Sequence, residues 1–164
     1  MLILGIDPSI NNVGIALYDT NRRKLLTDVF HPIRKKDTTT VNIGVQIVRY
    51  LHLVFLQKEE TLSQLVIEHP QWEDSDRGRM AMQKGYTLDL AFLVGYISAG
   101  LRLPASQIYI PTPREWKGNL PKSAVGHRFE KRFLIPANSV TDHEFEAAMM
   151  IDWLLTNVLA FREG

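Results

Sequence analysis

The chain has 164 residues, 45% hydrophobic and 23% charged, which is globular composition and enough length for one domain with its own core. It has no cysteine, which excludes disulfides and thiolate-bound zinc or iron–sulfur centres and fits a reducing compartment. The net charge is only +1, so a case for nucleic acid has to rest on local charge; no apolar run approaches the ~20 residues of a membrane helix, and MLILGID lacks the basic start of a signal peptide.

Residues 2–7 and 12–18 read as two strands joined by the turn Pro8-Ser9-Ile10-Asn11-Asn12. Residues 24–31 make a third, completing a three-stranded meander. Arg34-Lys35-Lys36, near the end of this hairpin, reads as a solvated loop that could touch a nucleic-acid arm. Thr39 or Thr40 caps a helix running to about Glu60, with Ile43, Ile47, Leu51 and Val54 on one face. Residues 64–67 form a short apolar strand of the kind buried in parallel sheets. Residues 78–101 suit a helix, with Met82, Leu88, Phe92 and Tyr96 among its apolar positions, and residues 107–110 a strand stopped by Pro111. Helices are expected over 122–134 and 142–160, the second opened by a capping box of Thr141 and Glu144. Short apolar strands separated by helices imply an α/β mixed sheet covered on both faces. No repeat, low-complexity segment or linker divides the chain, so residues 1–164 are expected to form a single domain.

Two of these strands end on an acid, Asp7 and Glu68. Ligands of open α/β sheets sit beyond the carboxyl ends of strands, and two carboxylates brought together there repel unless a cation lies between them. Oxygen ligands of this type suit Mg²⁺ or Mn²⁺. Asp7 could instead open an Asp-Pro-Ser turn, and Glu68 could be a solvated strand end. In the last helix, Glu146 shares a face with Asp142, His143, Met149 and Met150. Asp142 and Glu144 suit the helix dipole in a first turn, whereas a carboxylate turned toward Ala and Met is costly to bury unpaired. His143 could ligate a metal, act as a base, or simply be solvated at the helix start.

These residues resemble the RuvC family of Holliday-junction resolvases, within the ribonuclease H-like superfamily. The likeness rests on Ile3-Leu4-Gly5-Ile6-Asp7-Pro8-Ser9 with Gly14 in the second strand, on Leu65-Val66-Ile67-Glu68, and on His143-x-x-Glu146-Ala147-Ala148. Pro113-Arg114-Glu115-Trp116-Lys117-Gly118 is similar to the variety carried by phages and prophages. Two positions depart from the commonest pattern: Glu146 stands where Asp is usual, and His143 where many members have Asp. The resemblance implies a ribonuclease H-like sheet, a three-stranded antiparallel meander plus parallel strands. It implies a metal site of Asp7, Glu68, His143 and Glu146, with Asp142 as a competing ligand. Two divalent ions, Mg²⁺ or Mn²⁺, would sit ~3.5–4 Å apart, bridged by Asp7 and held by Glu68 and Glu146, while His143 ligates or orients the attacking water. Hydrolysis would leave a 5′-phosphate and a 3′-hydroxyl, in the cytoplasm of a bacterial host if the protein is phage-encoded.

Between Pro113 and Arg132 six bases (Arg114, Lys117, Lys122, Arg128, Lys131, Arg132) oppose two acids (Glu115, Glu130), a local charge of 6 − 2 = +4 suited to phosphates. Arg77, Arg79 and Lys84 lie near Trp72 and Tyr86, a basic stretch with rings on which unstacked bases could lie. Trp72 could wedge into a junction centre or pack on the following helix. A four-way junction is close to two-fold symmetric and needs two opposed nicks, so one site per chain implies a homodimer. The surplus apolar positions of the 78–101 helix (Phe92, Val94, Tyr96, Ile97) are expected to supply part of its interface. The alternatives are another ribonuclease H-like nuclease, acting on RNA–DNA hybrids or on branched DNA more broadly, and a non-catalytic junction-binding protein.

Overall fold

The computed structural model describes residues 1–56, 61–70 and 85–160. Five strands, β1 (Leu2–Asp7), β2 (Val13–Asp19), β3 (Lys24–Phe30), β4 (Gln64–Ile67) and β5 (Ile108–Tyr109), form one sheet in the order β3-β2-β1-β4-β5. β1 pairs antiparallel with β2, and β2 with β3; β1–β4 and β4–β5 are parallel. This is the expected mixed sheet. The last strand is shorter than expected because Ala105–Gln107 closes into a 3₁₀ turn and leaves only two residues to pair.

Strand alternation sorts the core into two layers. Leu4, Ile6, Ile15, Leu65 and Ile67 face α1 (Thr40–Tyr50) and α2 (Tyr86–Gly100), where they meet Ile43, Ile47, Leu93 and Ile97. Ile3, Ala16 and Val66 face the opposite way, toward α4 (Lys122–Phe133) and α5 (Asp142–Leu154), against Phe129, Phe145, Ala148 and Ile151. A one-turn helix, α3 (Pro113–Trp116), precedes α4.

Helix ends follow local chemistry. Thr39, not Thr40, caps α1 in a capping box with Asn42. α1 passes into a π turn at Leu51–Phe55 and stops at Leu56, short of the expected end; Glu60 lies outside the described residues. α4 ends where Leu134 adopts the left-handed conformation, φ 58°. α5 opens on the expected Thr141–Glu144 capping box, and after Leu154 its last turns widen into a π helix, Leu155–Leu159. The expected 78–101 helix does not run unbroken: it begins at Tyr86, because Gly85 caps it in the left-handed conformation (φ 75°) that glycine adopts readily, and ends at Gly100. Met82, Trp72, Arg77, Arg79 and Lys84 lie outside the described residues.

Candidate active site

The two strand-ending acids are set side by side by register. β1 and β4 run parallel with Ile6 opposite Ile67, and the Glu68 N–H donates to the Ile6 carbonyl at 3.1 Å. The next pair along is Asp7 and Glu68. Alternation turns both toward the α5 side of the sheet, since Ile3, Gly5 and Asp7 share one face and Val66 and Glu68 share it too.

α5 sits on that face at backbone contact because the strands carry glycine beneath it. A Cβ at Gly5 would collide with the Ala147 carbonyl, and one at Gly14 with the His143 carbonyl. Gly14 pairs directly with Asp7, so the first turn of α5 is seated beside that carboxylate. His143 Nδ1 lies 2.6 Å from Asp7 Oδ2, and Glu146, one turn on, enters the same edge. Asp7 and Glu146 are the only buried charged residues among those described, at 7% and 5% exposure.

α3 closes the site from the β5 side. Its Thr112–Glu115 capping box and Pro113 at the first turn fix a helix too short to persist alone. Buried Trp116 donates its indole N–H to Glu68 Oε2 at 2.8 Å. Lys117 Nζ lies 3.0 Å from Glu146 Oε1 and 4.8 Å from the centre of the Trp116 ring. Two adjacent residues thus hold two carboxylates.

The electrostatics record a crowd of acids. Burial pushes the Glu68 carboxyl up to about 7, Asp7 and Glu146 add to the rise, and Lys117 and the Trp116 N–H oppose it. The His143 ring is raised above its ordinary value, first by its bond to Asp7. Burial alone would lower Lys122, but Glu146, Asp142 and Asp7 outweigh it and raise it. Among the described residues no three Asp, Glu or His side chains form a ready cage around one ion. Instead Lys117 balances Glu146, and His143 bonds Asp7. The donor chemistry, three carboxylates and an imidazole, still fits a hard divalent cation, which would relieve the repulsion that raises Glu68.

Asp7, Glu68, His143 and Glu146 are therefore brought together as expected. Asp142 is turned away: its carboxylate is exposed and pairs with Lys122 at 3.2 Å, and it is His143 that reaches Asp7. The basic stretch is less free than its sum of +4. Lys117 is held by Glu146, Lys122 by Asp142, and Arg132 by Asp152 at 2.5 Å. Arg114 and Arg128 are exposed, with no ion-pair partner among the described residues. The sequence marked the segment Pro113–Gly118 as family-like and Arg114 and Lys117 as DNA-binding, but gave Trp116 no role of its own.

No protein-family model and no curated protein sequence matches the chain. Solved structures do. The chain is similar to T. thermophilus RuvC in complex with a Holliday junction substrate, with a TM-score of 0.63 and 15% identity over 94% of each chain. A second Thermus thermophilus RuvC structure matches with a TM-score of 0.61 and 15% identity, over 94% of this chain and 95% of that one. The chain has the ribonuclease H-like fold of RuvC, as the sequence resemblance implied.

Proposed function

We propose that this chain is a structure-selective endonuclease that resolves four-way DNA junctions by paired, metal-dependent phosphodiester hydrolysis, leaving 5′-phosphate and 3′-hydroxyl ends. The observation that carries the reading is the convergence of Asp7, Glu68, Glu146 and His143 at one sheet edge, in a fold shared with RuvC. Asp7, Glu68 and Glu146, with His143, are the residues that would hold Mg²⁺ or Mn²⁺, two ions per site. When bound, the metal would supply an activated water and neutralise charge on the phosphodiester.

The protein's own groups do the rest. The sheet and the Gly5 and Gly14 contacts hold the acids in fixed positions, so little reorganisation accompanies the reaction. His143 is oriented through Nδ1 by Asp7, which leaves Nε2 to take or return a water proton. Lys117 and Lys122 lie against the acids and offer positive charge to the phosphate strand once metal satisfies Glu146. Arg114 and Arg128 contact the backbone of the same arm. Trp72, Arg77, Arg79 and Lys84 would complete the DNA surface.

The unit is a symmetric homodimer, one site for each of the two opposed strands. Its interface draws on α2, whose outer face exposes Leu88 and Phe92, one turn apart, at 75% and 43%; Val94 and Ile97, expected there, are instead buried in the chain's own core. The protein works in the cytoplasm, as a phage or prophage resolvase of one domain. No described helix is long and apolar enough to cross a membrane.

The test is cleavage of a labelled mobile four-way junction, a matching duplex and an RNA–DNA hybrid, each with Mg²⁺, Mn²⁺ or chelator, beside Asp7→Asn. Paired metal-dependent nicks on the junction, abolished in Asp7→Asn while binding persists, are expected. Cleavage of the hybrid instead moves the function to ribonuclease H. Junction binding with no cleavage in any lane leaves a binding module and overturns the enzyme reading.

A further inference from the structure

The segment His31–Thr39 leaves β3 at the same sheet edge as the acids. β1, β3 and β4 all end there, and β2 begins there. By sequence, Arg34-Lys35-Lys36 is a solvated run. In the structure it is built into the site's surroundings.

Three sets of contacts fix it. Arg34 Nη1 donates to Asn11 Oδ1 at 2.6 Å, and His31 Nδ1 lies 2.9 Å from Asn12 Oδ1. Both asparagines belong to the turn that directly follows Asp7. Gln46 of α1 grips Ile33 by both backbone groups, accepting from its N–H at 2.8 Å and donating to its carbonyl at 3.1 Å. Lys35 N–H donates to Thr38 Oγ1 at 2.6 Å, and Thr38 N–H returns a bond to the Lys35 carbonyl at 3.0 Å.

The loop carries three cations and one acid, exposed Asp37, and none of the three is ion-paired among the described residues. Arg34 bonds a neutral acceptor and keeps its full charge. Lys35 and Lys36 are exposed and have no ion-pair partner among the described residues. This differs from the 113–132 stretch, where three cations are paired with acids. A pre-ordered cationic loop binds with less loss of chain freedom than a loose one.

Its position is informative. β3 lies two strands from β1, a lateral step of roughly 10 Å, while α3 and its Lys117 lie on the β4–β5 side. Along the strand order the acids therefore lie between this loop and Lys117, while Gln46 ties the loop to α1 on the other face of the sheet.

We propose that Arg34, Lys35 and Lys36, anchored to the Asp7 turn through Asn11 and Asn12, form a second phosphate-binding surface. It grips the DNA backbone at the same sheet edge as the acids, on the side away from Lys117. This rests on the junction-resolving reading above and adds a second footprint to it.

The experiment compares the full-length protein with Lys35→Ala/Lys36→Ala and with Arg23→Ala/Lys24→Ala. The control pair removes the same charge from the β2–β3 turn and the first residue of β3, at the opposite end of the sheet. Anisotropy of a labelled four-way junction, in chelator to prevent turnover, is read across a salt series. Removing two phosphate contacts lowers the slope of log K against log salt by about 1.8 and weakens binding at low salt at least tenfold; the control pair matches wild type. Equal slopes for wild type and both variants overturn the inference and leave the nuclease reading intact. Equal losses in both variants also overturn it, as an effect of net charge alone. If wild type fails to bind the junction at all, the underlying reading falls and this inference with it.

Discussion

The acidic edge and the basic stretch from Pro113 to Arg132 are assembled by different means, and they differ in how much of their charge is available. Asp7 and Glu68 are placed by backbone register, and α5 is held against them by Gly5 and Gly14. Their position depends on hydrogen-bonded strands, so it was readable from two apolar runs that each end on an acid. The cations of 113–132 are carried by a one-turn helix and an exposed helix face, and three of them are bound to acids. The Lys122–Asp142 and Arg132–Asp152 pairs lie at the surface and contribute little to stability, so they are available for exchange when a stronger anion arrives, whereas Lys117 is held by buried Glu146. Summed charge counts cations without their partners, and it cannot show which are held inside the site.

Breaking the acidic edge through its backbone gives the largest effect. Gly14→Ala drives a methyl group into the His143 carbonyl and lifts the first turn of α5 from Asp7. Cleavage is expected to be lost, with a destabilisation of ~1–3 kcal/mol in urea unfolding. Wild-type cleavage in Gly14→Ala would mean that the contact between β2 and α5 does not position the site.

The link between the two regions is Trp116. Trp116→Phe keeps the ring and removes the N–H that Glu68 accepts. Partners that orient a metal ligand are worth roughly 10–100-fold in metal affinity, and a loss of that size is expected in Mn²⁺ titrations at temperatures where the variant is fully folded. Unaltered Mn²⁺ affinity would assign Trp116 to packing alone.

Acidity offers a third probe. The metal-free folded protein holds a proton on Glu68 up to about pH 7, whereas the unfolded chain releases it near 4.5. Between those values the native state binds more protons, so stability falls as pH rises. His143, whose folded value is raised by Asp7, acts in the same direction, its contribution being lost as pH rises through that value. Melting temperatures of Glu68→Gln should therefore fall less steeply over this window than those of wild type. Parallel curves would show that Glu68 titrates normally.

The smallest effects separate free from paired cations. Arg128→Ala should reduce the salt slope of junction binding by about 0.9, and Lys122→Ala by less, because Lys122 already pairs with Asp142. Equal reductions would show that the Lys122–Asp142 pair opens fully on DNA.

Most of the sheet and the helix starts were legible because they depend on local signals: strand alternation, the Thr141–Glu144 box, and the Gly5 and Gly14 positions within the family-like motif. The shortened β5 and the π turn after α1 were not, because they depend on how neighbouring segments pack. Within the site, the choice of His143 over Asp142 follows from which residue of the first turn lies above Gly14, a tertiary fact. The bond from Trp116 to Glu68 joins residues 48 apart in sequence, and no spacing rule reaches that far.

The most direct test of the acidic edge as a metal-dependent catalytic centre is Mn²⁺ binding to the junction-bound protein, followed by electron paramagnetic resonance in wild type and Asp7→Asn. Saturable Mn²⁺ uptake in wild type, lost in Asp7→Asn while the junction stays bound, is the predicted result. Equal uptake by both proteins, or junction cleavage that continues in chelator, would contradict it.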